Sequence, residues 1–262
     1  MKFAAIGVNR ITTSIGRALA RYLNRPRAIR TAAPVALGEE LLACLQPGDV
    51  LLVEGNTRVS TAIKYLTQST WSHAALFVGD ALRPAGADPG RCLIEADTVA
   101  GVRAVTIEHF AGLATRICRP VGLSAEDCQR VVAHAVARIG HRYDLRNVLD
   151  LARYLLPTPP VPQRFRRRMI ALGSGDPTRA ICSTLIAQAF QSIRYPILPL
   201  IERLPADTPE CRDCVKEILQ VRHYSLFAPR DFDVSPYFAV VKPSLRSGFD
   251  FKQLVWSDRP PT

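Results

Sequence analysis

The sequence predicts an α+β domain in which an antiparallel sheet carries helices packed against it. Short apolar runs of strand length recur between turn residues, as at 49–53, 74–79 and 92–96. Segments with helical spacing of apolar residues lie before and after these strands. The composition suits one domain with a sizeable core, because 48% of the 262 residues are hydrophobic and 22% are charged.

The first predicted elements are a short helix over residues 38–45, a buried strand over 49–53 and a second helix over 57–67. Pro47-Gly48 ends the first helix and separates it from the strand. In the second helix, apolar residues fall at helical spacing, so one face is expected to lie on the sheet.

A predicted hairpin brings a histidine and a glutamate close together. The apolar strand after His73 and the strand that contains Glu95 are joined by a loop rich in proline and glycine. Pairing Gly79 near Gly90 places His73 opposite the region of Glu95. Residues opposite each other share a face, with Cβ atoms about 5 Å apart. We therefore expect the two side chains to be neighbours, although a slip of one residue would put them on opposite faces.

The rest of the chain is predicted to mix strands and helices. Strands are expected at 102–107, 115–119 and 237–241, and helices at 124–139, 145–156 and 176–193. Ser124 is a suitable N-cap because its hydroxyl can accept a backbone hydrogen bond and acidic residues follow in the first turn. We predict a basic helical arm at 1–38, a main domain at 39–245 and an irregular tail at 246–262.

The charge is strongly positive, at +11 from 34 basic and 23 acidic residues. Part of it lies in the arm, which has no acidic residue. The apolar stripe of the arm either packs on the domain or lies on an anionic membrane, and a transit peptide is a third alternative. The arginine run Arg164–Arg168 is either a solvated helix face or a site for an acidic group. Nucleic-acid binding is not expected, because no motif accompanies the charge.

The scattered cysteines, together with the lack of a recognisable targeting signal, indicate a reducing compartment. No run approaches the ~18–20 apolar residues of a membrane-spanning helix, and the N-terminus lacks the order of regions found in a signal peptide. Seven scattered cysteines do not form a disulfide framework. We expect a cytoplasmic protein, with peripheral membrane contact through the arm left open.

Cys182 lies in the first turns of a predicted amphipathic helix. The helix begins either at Asp176-Pro177, an N-cap followed by proline, or nearer Cys182 itself. The positive end of the helix dipole favours thiolate, the nucleophilic form of cysteine. The alternative is that Cys182 packs as a small hydrophobic residue, as most buried cysteines do.

Three residues supply the groups of a cysteine hydrolase. Cys182 is the candidate nucleophile, His73 the base, and Glu95 the acid that orients the imidazole. The backbone N–H of Cys182 is a candidate oxyanion donor. Taken singly, His73 also fits a core histidine, and Glu95 a solvated carboxylate on an edge strand. No cofactor or metal is expected: Cys211 and Cys214, with His223 nearby, form only one ligand pair, whereas structural zinc sites usually need four ligands.

Six short motifs follow one another in a recognisable order. They are LQPGDV at 45–50, WSHAALFVG at 71–79, IEA at 94–96, YD at 143–144, ICSTL at 181–185 and APRDF at 228–232. In this order they resemble the circularly permuted papain-like amidases of the YaeF/YiiX type, which are related to NlpC-type cell-wall hydrolases. The resemblance covers roughly residues 41–243. It does not extend to the basic arm or to Arg164–Arg168.

The resemblance implies a permuted papain-like core, an antiparallel sheet or small barrel in which His73 and Glu95 precede the nucleophile Cys182. Tyr143, Ser72 and Ser183 are expected to line the substrate site. The expected activity is cleavage of an amide, either a peptide or an N-acyl bond, in a small-molecule, peptide or lipid-like substrate. The alternatives are a lipid acyltransferase on the same fold, which a membrane-bound arm would favour, and a module that binds acyl or amide groups without turnover.

Overall fold

The computed structural model of the protein describes residues 25, 38–85, 90–97, 100–141, 181–205, 215–243, 250 and 252. Several sequence-based predictions concern residues outside these ranges: almost all of the basic arm and the tail, the helix at 145–156, Asp176-Pro177, Tyr143, Arg164–Arg168, Cys211 and Cys214.

The fold is built on an antiparallel sheet. The strands of the described chain are β1 Val50–Val53, β2 His73–Phe77, β3 Arg91–Asp97, β4 Gly101–Thr106, β5 Thr115–Pro120, β6 Leu200–Pro205, β7 Val215–Gln220 and β8 Phe238–Val241. Six of them form one sheet in the order β4-β3-β2-β1-β5-β8, in which every neighbouring pair is antiparallel. Strands β6 and β7 form a separate hairpin. The α+β class with an antiparallel sheet is therefore confirmed.

Helices flank the sheet. They are α1 Gly38–Cys44, α2 Arg58–Thr67, α3 Ala125–Val136, α4 Ile181–Gln191 and α5 Pro229–Asp233. Short 3-10 turns span Gly79–Ala85, Ile107–Phe110 and Tyr224–Leu226. Side-chain caps fix two helix starts: Thr57 accepts the Ser60 N–H, and Ser124, as predicted, accepts the Asp127 N–H.

Alternation along the strands divides the core between the two faces of the sheet. On one face, Leu76 of β2 and Ile94 of β3 pack with Leu185 and Phe190 of α4. On the other face, a second cluster collects Phe77 and Leu93 with Leu41 and Phe110, among others. Period-two alternation sends successive side chains to opposite faces, so each central strand contributes to both clusters.

Three local features differ from the sequence-based predictions. The predicted loop between the strand after His73 and the strand of Glu95 begins with the 3-10 turn Gly79–Ala85. Helix α3 ends at Val136, before the predicted stop at Gly140, and turns follow it. The β6–β7 hairpin was not predicted, because its strands LIERLP and VKEILQ lack clean alternation and hold residues that favour helix as readily as strand.

Truncation of Phe190 is expected to destabilise the fold strongly. Its ring is fully buried and meets the edge of Phe238 at 5.2 Å between centroids. Phe190→Ala should therefore lower the free energy of unfolding by roughly 3–5 kcal/mol in urea titration. Val121→Ala, at a 57% exposed position, should change it by less than ~0.5 kcal/mol. Equal effects of the two substitutions would contradict this account of the core.

Candidate active site

The three predicted catalytic residues meet where β2 begins and α4 begins. His73 is the first residue of β2, Glu95 lies in β3, and Cys182 is the second residue of α4. Helix α4 packs on β2 and β3 through Leu185, Ile186 and their neighbours. This packing brings the thiol to the end of the strand that starts with the histidine.

The contact between His73 and Glu95 is direct, but the predicted register is wrong. The Nε2 atom of His73 lies 2.6 Å from Oε2 of Glu95. Strand pairing sets Glu95 opposite Ala75, two residues after His73, and the last pair is Phe77 with Leu93. Residues two apart share a face, so His73 reaches Glu95 diagonally. The 3-10 turn that starts at Gly79 takes the chain out of the ladder, so Gly79 and Gly90 do not set the register.

Glu95 is an ionised carboxylate in a buried position. Its side chain is only 3% exposed. Burial raises the pKa of Glu95, but the hydrogen bonds and charges of His73 and Arg103 outweigh burial and bring the pKa down to about 2. The carboxylate is therefore negative throughout the neutral range and can hold the imidazole by Nε2–H.

The imidazole and the thiol form an ion pair. Burial lowers the pKa of His73, but the Cys182 thiolate and the Glu95 carboxylate raise it to about 10. Burial raises the pKa of Cys182, and the positive charge and hydrogen bond of His73 reverse this, so that the pKa lies below its ordinary value. Because Nε2 of His73 is bound to Glu95, Nδ1 is the ring nitrogen left for the hydrogen bond with Cys182.

Two further groups stabilise the thiolate. The backbone N–H of Ala74 donates to Cys182 and lowers the pKa of the thiol. Ser183 also lowers that pKa, with its hydroxyl oxygen 3.9 Å from the sulfur. Both neighbours follow from chain connectivity, since Ala74 comes directly after His73 and Ser183 directly after Cys182.

The three residues expected to line the substrate site have different positions. Ser72 lies on the cavity wall and is buried, and its hydroxyl accepts the Gly55 N–H at 2.9 Å. Ser183 is fully buried in α4 next to the thiol, away from the cavity wall. Tyr143 lies outside the described residues.

An open cavity of about 460 Å³ exposes the catalytic groups. Cys182, His73 and Glu95 all line it. The lining includes apolar residues, namely Val53, Val59, Ile63, Phe110, Ala111 and Leu113. It also includes the charged or titratable side chains of Asp97, Arg103 and His109. The cavity therefore offers a substrate both apolar and polar contacts besides the nucleophile.

Sequence reasoning missed Arg103 and His109. Arg103 donates to Oε1 of Glu95 from Nε at 2.8 Å, and its Nη2 lies 2.7 Å from the same oxygen. Nε2 of His109 lies 3.3 Å from that oxygen. The available signal was a second hairpin: pairing the predicted strand at 102–107 with the strand of Glu95 would have brought Arg103 alongside.

The described residues hold neither a cluster of metal ligands nor a helix that could span a membrane. In the part of the chain that the structure describes, no group of three or more His, Cys, Asp or Glu side chains is arranged to hold a metal ion. Among the helices of those same residues, none is long and apolar enough to cross a membrane.

The comparison with protein families supports the first four of the six motifs, which lie within the matched residues. Residues 44–154 match the family described as permuted papain-like amidase enzyme, YaeF/YiiX, C92 family. The crystal structure of metalloprotein yiiX from Escherichia coli O157:H7 aligns with 75% of this chain and 96% of that one, at 16% identity and a TM-score of 0.43. No curated protein matches the chain. The matched segment contains His73 and Glu95, and the resemblance drawn from the motifs is confirmed: over residues 44–154 this chain is similar to the permuted papain-like amidases of the YaeF/YiiX family.

Proposed function

We propose that this protein is a cysteine hydrolase that cleaves an amide bond, in a peptide or an N-acyl compound, through a thioacyl-enzyme. The observation that carries this proposal is the line of contacts from Glu95 through His73 to Cys182 on the wall of an open cavity. A buried cysteine that served only packing would not need a histidine held by a buried, ionised glutamate.

In the first half of the reaction, the Cys182 thiolate attacks the carbonyl carbon of the substrate. A C–S bond forms and the carbonyl oxygen becomes an oxyanion. The Cys182 backbone N–H, in the first turn of α4, donates to that oxygen in this scheme. When the C–N bond breaks, Nδ1–H of His73 protonates the leaving nitrogen. The products of this half are a free amine and an acyl group on Cys182.

In the second half, neutral His73 acts as the base. It removes a proton from water while the water oxygen attacks the thioester carbon. The C–S bond then breaks, the carboxylic acid leaves, and the thiolate–imidazolium pair is restored. Throughout, Glu95 accepts the Nε2–H hydrogen bond and stays ionised, because its pKa is lowered to about 2.

The test is acylation of one identified sulfur. A panel of N-acyl p-nitroanilides and p-nitrophenyl esters with apolar and polar acyl groups would be assayed for release of the chromophore. Mass spectrometry of the digested protein would then locate the acyl group. The proposal expects turnover with the acyl group on the peptide that contains Cys182. Turnover with the acyl group elsewhere, or no acylation by any member of the panel, would overturn it.

Hydrolase and acyltransferase share the acyl-enzyme and differ in what accepts the acyl group. Repeating the assay with an added amine or alcohol separates them. A hydrolase forms the carboxylic acid as its main product whether or not the acceptor is present. An acylated acceptor as the main product would assign the protein to the transferase class.

Glu95→Gln is expected to lower kcat by roughly 100-fold with little change in KM, because the amide carries no charge to stabilise the His73 imidazolium. Steady-state kinetics on the best substrate of the panel measures this. Glu54→Gln is the matched control, since Glu54 pairs with Lys64 and does not line the cavity. Full activity of Glu95→Gln would assign orientation of the imidazole to another residue.

A further inference from the structure

The carboxylate of Glu95 divides its two oxygens between partners. Oε2 binds Nε2 of His73 at 2.6 Å. Oε1 receives Arg103, through Nε at 2.8 Å and with Nη2 at 2.7 Å. The guanidinium therefore holds the oxygen that the imidazole does not use. Rotation of the carboxylate away from His73 would break both contacts with Arg103.

The backbone fixes this arrangement. Arg103 lies directly opposite Glu95 in the β3–β4 pair, so the two side chains share one face of the sheet. The turn that joins the strands sets the register: Asp97 pairs with Gly101, which has φ +80°, and Oδ1 of Asp97 accepts the Ala100 N–H at 2.6 Å. A positive φ is readily adopted by glycine. The register of the β3–β4 pair therefore places Arg103 next to Glu95.

The surroundings of Glu95 contain several charged or titratable groups. His73 comes from β2, Arg103 from β4, His109 from the 3-10 turn, and Cys182 from α4, while Asp97 lies on the same cavity wall. Of these, Arg103 keeps a positive charge at every relevant pH. Its charge and hydrogen bond favour the ionised form of Glu95. His109 approaches the same oxygen at the longer distance of 3.3 Å.

We propose that Arg103 is a positioning residue of the active site, which acts through Glu95 by holding Oε1 so that Oε2 stays on Nε2 of His73. The inference rests on the proposed function. Arg103 is 39% exposed and Glu95 only 3% exposed, so the guanidinium reaches a buried carboxylate from the more open side of the site. If Arg103 is a positioning residue, its substitution should change the reactivity of the Cys182 thiol.

The experiment follows alkylation of Cys182 by limiting iodoacetamide as a function of pH, with peptide mapping to isolate this thiol. In Arg103→Gln, the Glu95 carboxylate loses the partner that holds Oε1, so it holds the His73 imidazolium less firmly. The imidazolium then stabilises the thiolate less, and the pKa of Cys182 rises. The acid-side midpoint of the rate profile should move up by about one pH unit, so the rate there falls roughly tenfold.

Two further variants make the result specific. Arg103→Lys keeps the positive charge, so its acid-side midpoint should lie close to that of the wild type. Arg83→Gln removes a cation from an exposed pair with Asp80, far more accessible than the Arg103 contact, and its profile should superimpose on the wild type. Thermal melts of all three variants check that the fold is retained at the assay temperature.

The alkylation profiles distinguish failure of the role of Arg103 from failure of the proposed function. A profile of Arg103→Gln that superimposes on the wild type overturns the role of Arg103. A midpoint that moves to lower pH also overturns it, because this is what loss of a repelling charge beside the imidazolium would produce. If wild-type Cys182 is as inert as the other cysteines, the proposed function fails as well. If wild-type Cys182 reacts selectively, a negative result for Arg103→Gln removes only this inference.

Discussion

Replacing Cys182 with alanine is expected to lower turnover by at least about 1,000-fold while the protein remains folded. Alanine has no nucleophile, so neither the thioacyl-enzyme nor its hydrolysis can occur. The position is 4% exposed, and the change removes one sulfur atom from the end of α4. The cost to the free energy of unfolding should be about 1 kcal/mol. Steady-state kinetics and urea unfolding of the same preparations measure both quantities.

Cys118→Ala provides the matched control. Cys118 is fully buried in the core of the sheet, where burial raises the pKa of its thiol to about 12. It should lose a comparable amount of stability and keep full activity. Mass spectrometry should find the acyl adduct in Cys118→Ala and not in Cys182→Ala. Undiminished turnover by Cys182→Ala would remove the cysteine hydrolase proposal altogether.

How far the sequence predicts this site depends on how local each contact is. The helix around Cys182 and the strands after His73 and around Glu95 could be predicted from spacing, because each needs only its own segment. The hairpin between the two strands was predicted, but its register was not. Register depends on the connecting turn, and the proline- and glycine-rich connection gave no sign of a 3-10 turn at its start.

Arg103 and His109 were missed for the same reason, because their contacts with Glu95 depend on more than their own segments. Arg103 reaches Glu95 only if β3 and β4 pair in one register, which the turn near Gly101 sets. His109 reaches it through a 3-10 turn that apolar spacing does not reveal. The meeting of Cys182 with His73 depends on helix packing between distant parts of the chain. Nothing local in the sequence determines it, and the order of motifs was the signal that joined them.

The ion pair between Cys182 and His73 has the second large expected effect. In the wild type, the thiolate forms as the pH rises through the lowered pKa of Cys182, and the imidazolium persists until the pH approaches the raised pKa of His73, about 10. The thiol should therefore react fast with iodoacetamide below neutral pH. In His73→Ala, burial still raises the pKa of the thiol, and only the Ala74 and Ser183 hydrogen bonds are left to oppose it. The alkylation rate of Cys182 near neutral pH should then fall roughly 100-fold, because little of the thiol is ionised there.

His134→Ala separates this effect from loss of any half-buried histidine. His134 lies on α3, away from the cavity, and burial lowers its pKa. Its removal should leave the reactivity of Cys182 unchanged at every pH. If His73→Ala retained the wild-type profile, the lowered pKa of Cys182 would have to come from the helix dipole, the Ala74 N–H and Ser183, and His73 would lose its role as the base. A fall in the alkylation rate of Cys182 in His73→Ala, with no change in His134→Ala, instead shows that the thiolate depends on the His73 imidazolium. Of these two variants, only His73→Ala removes that positive charge.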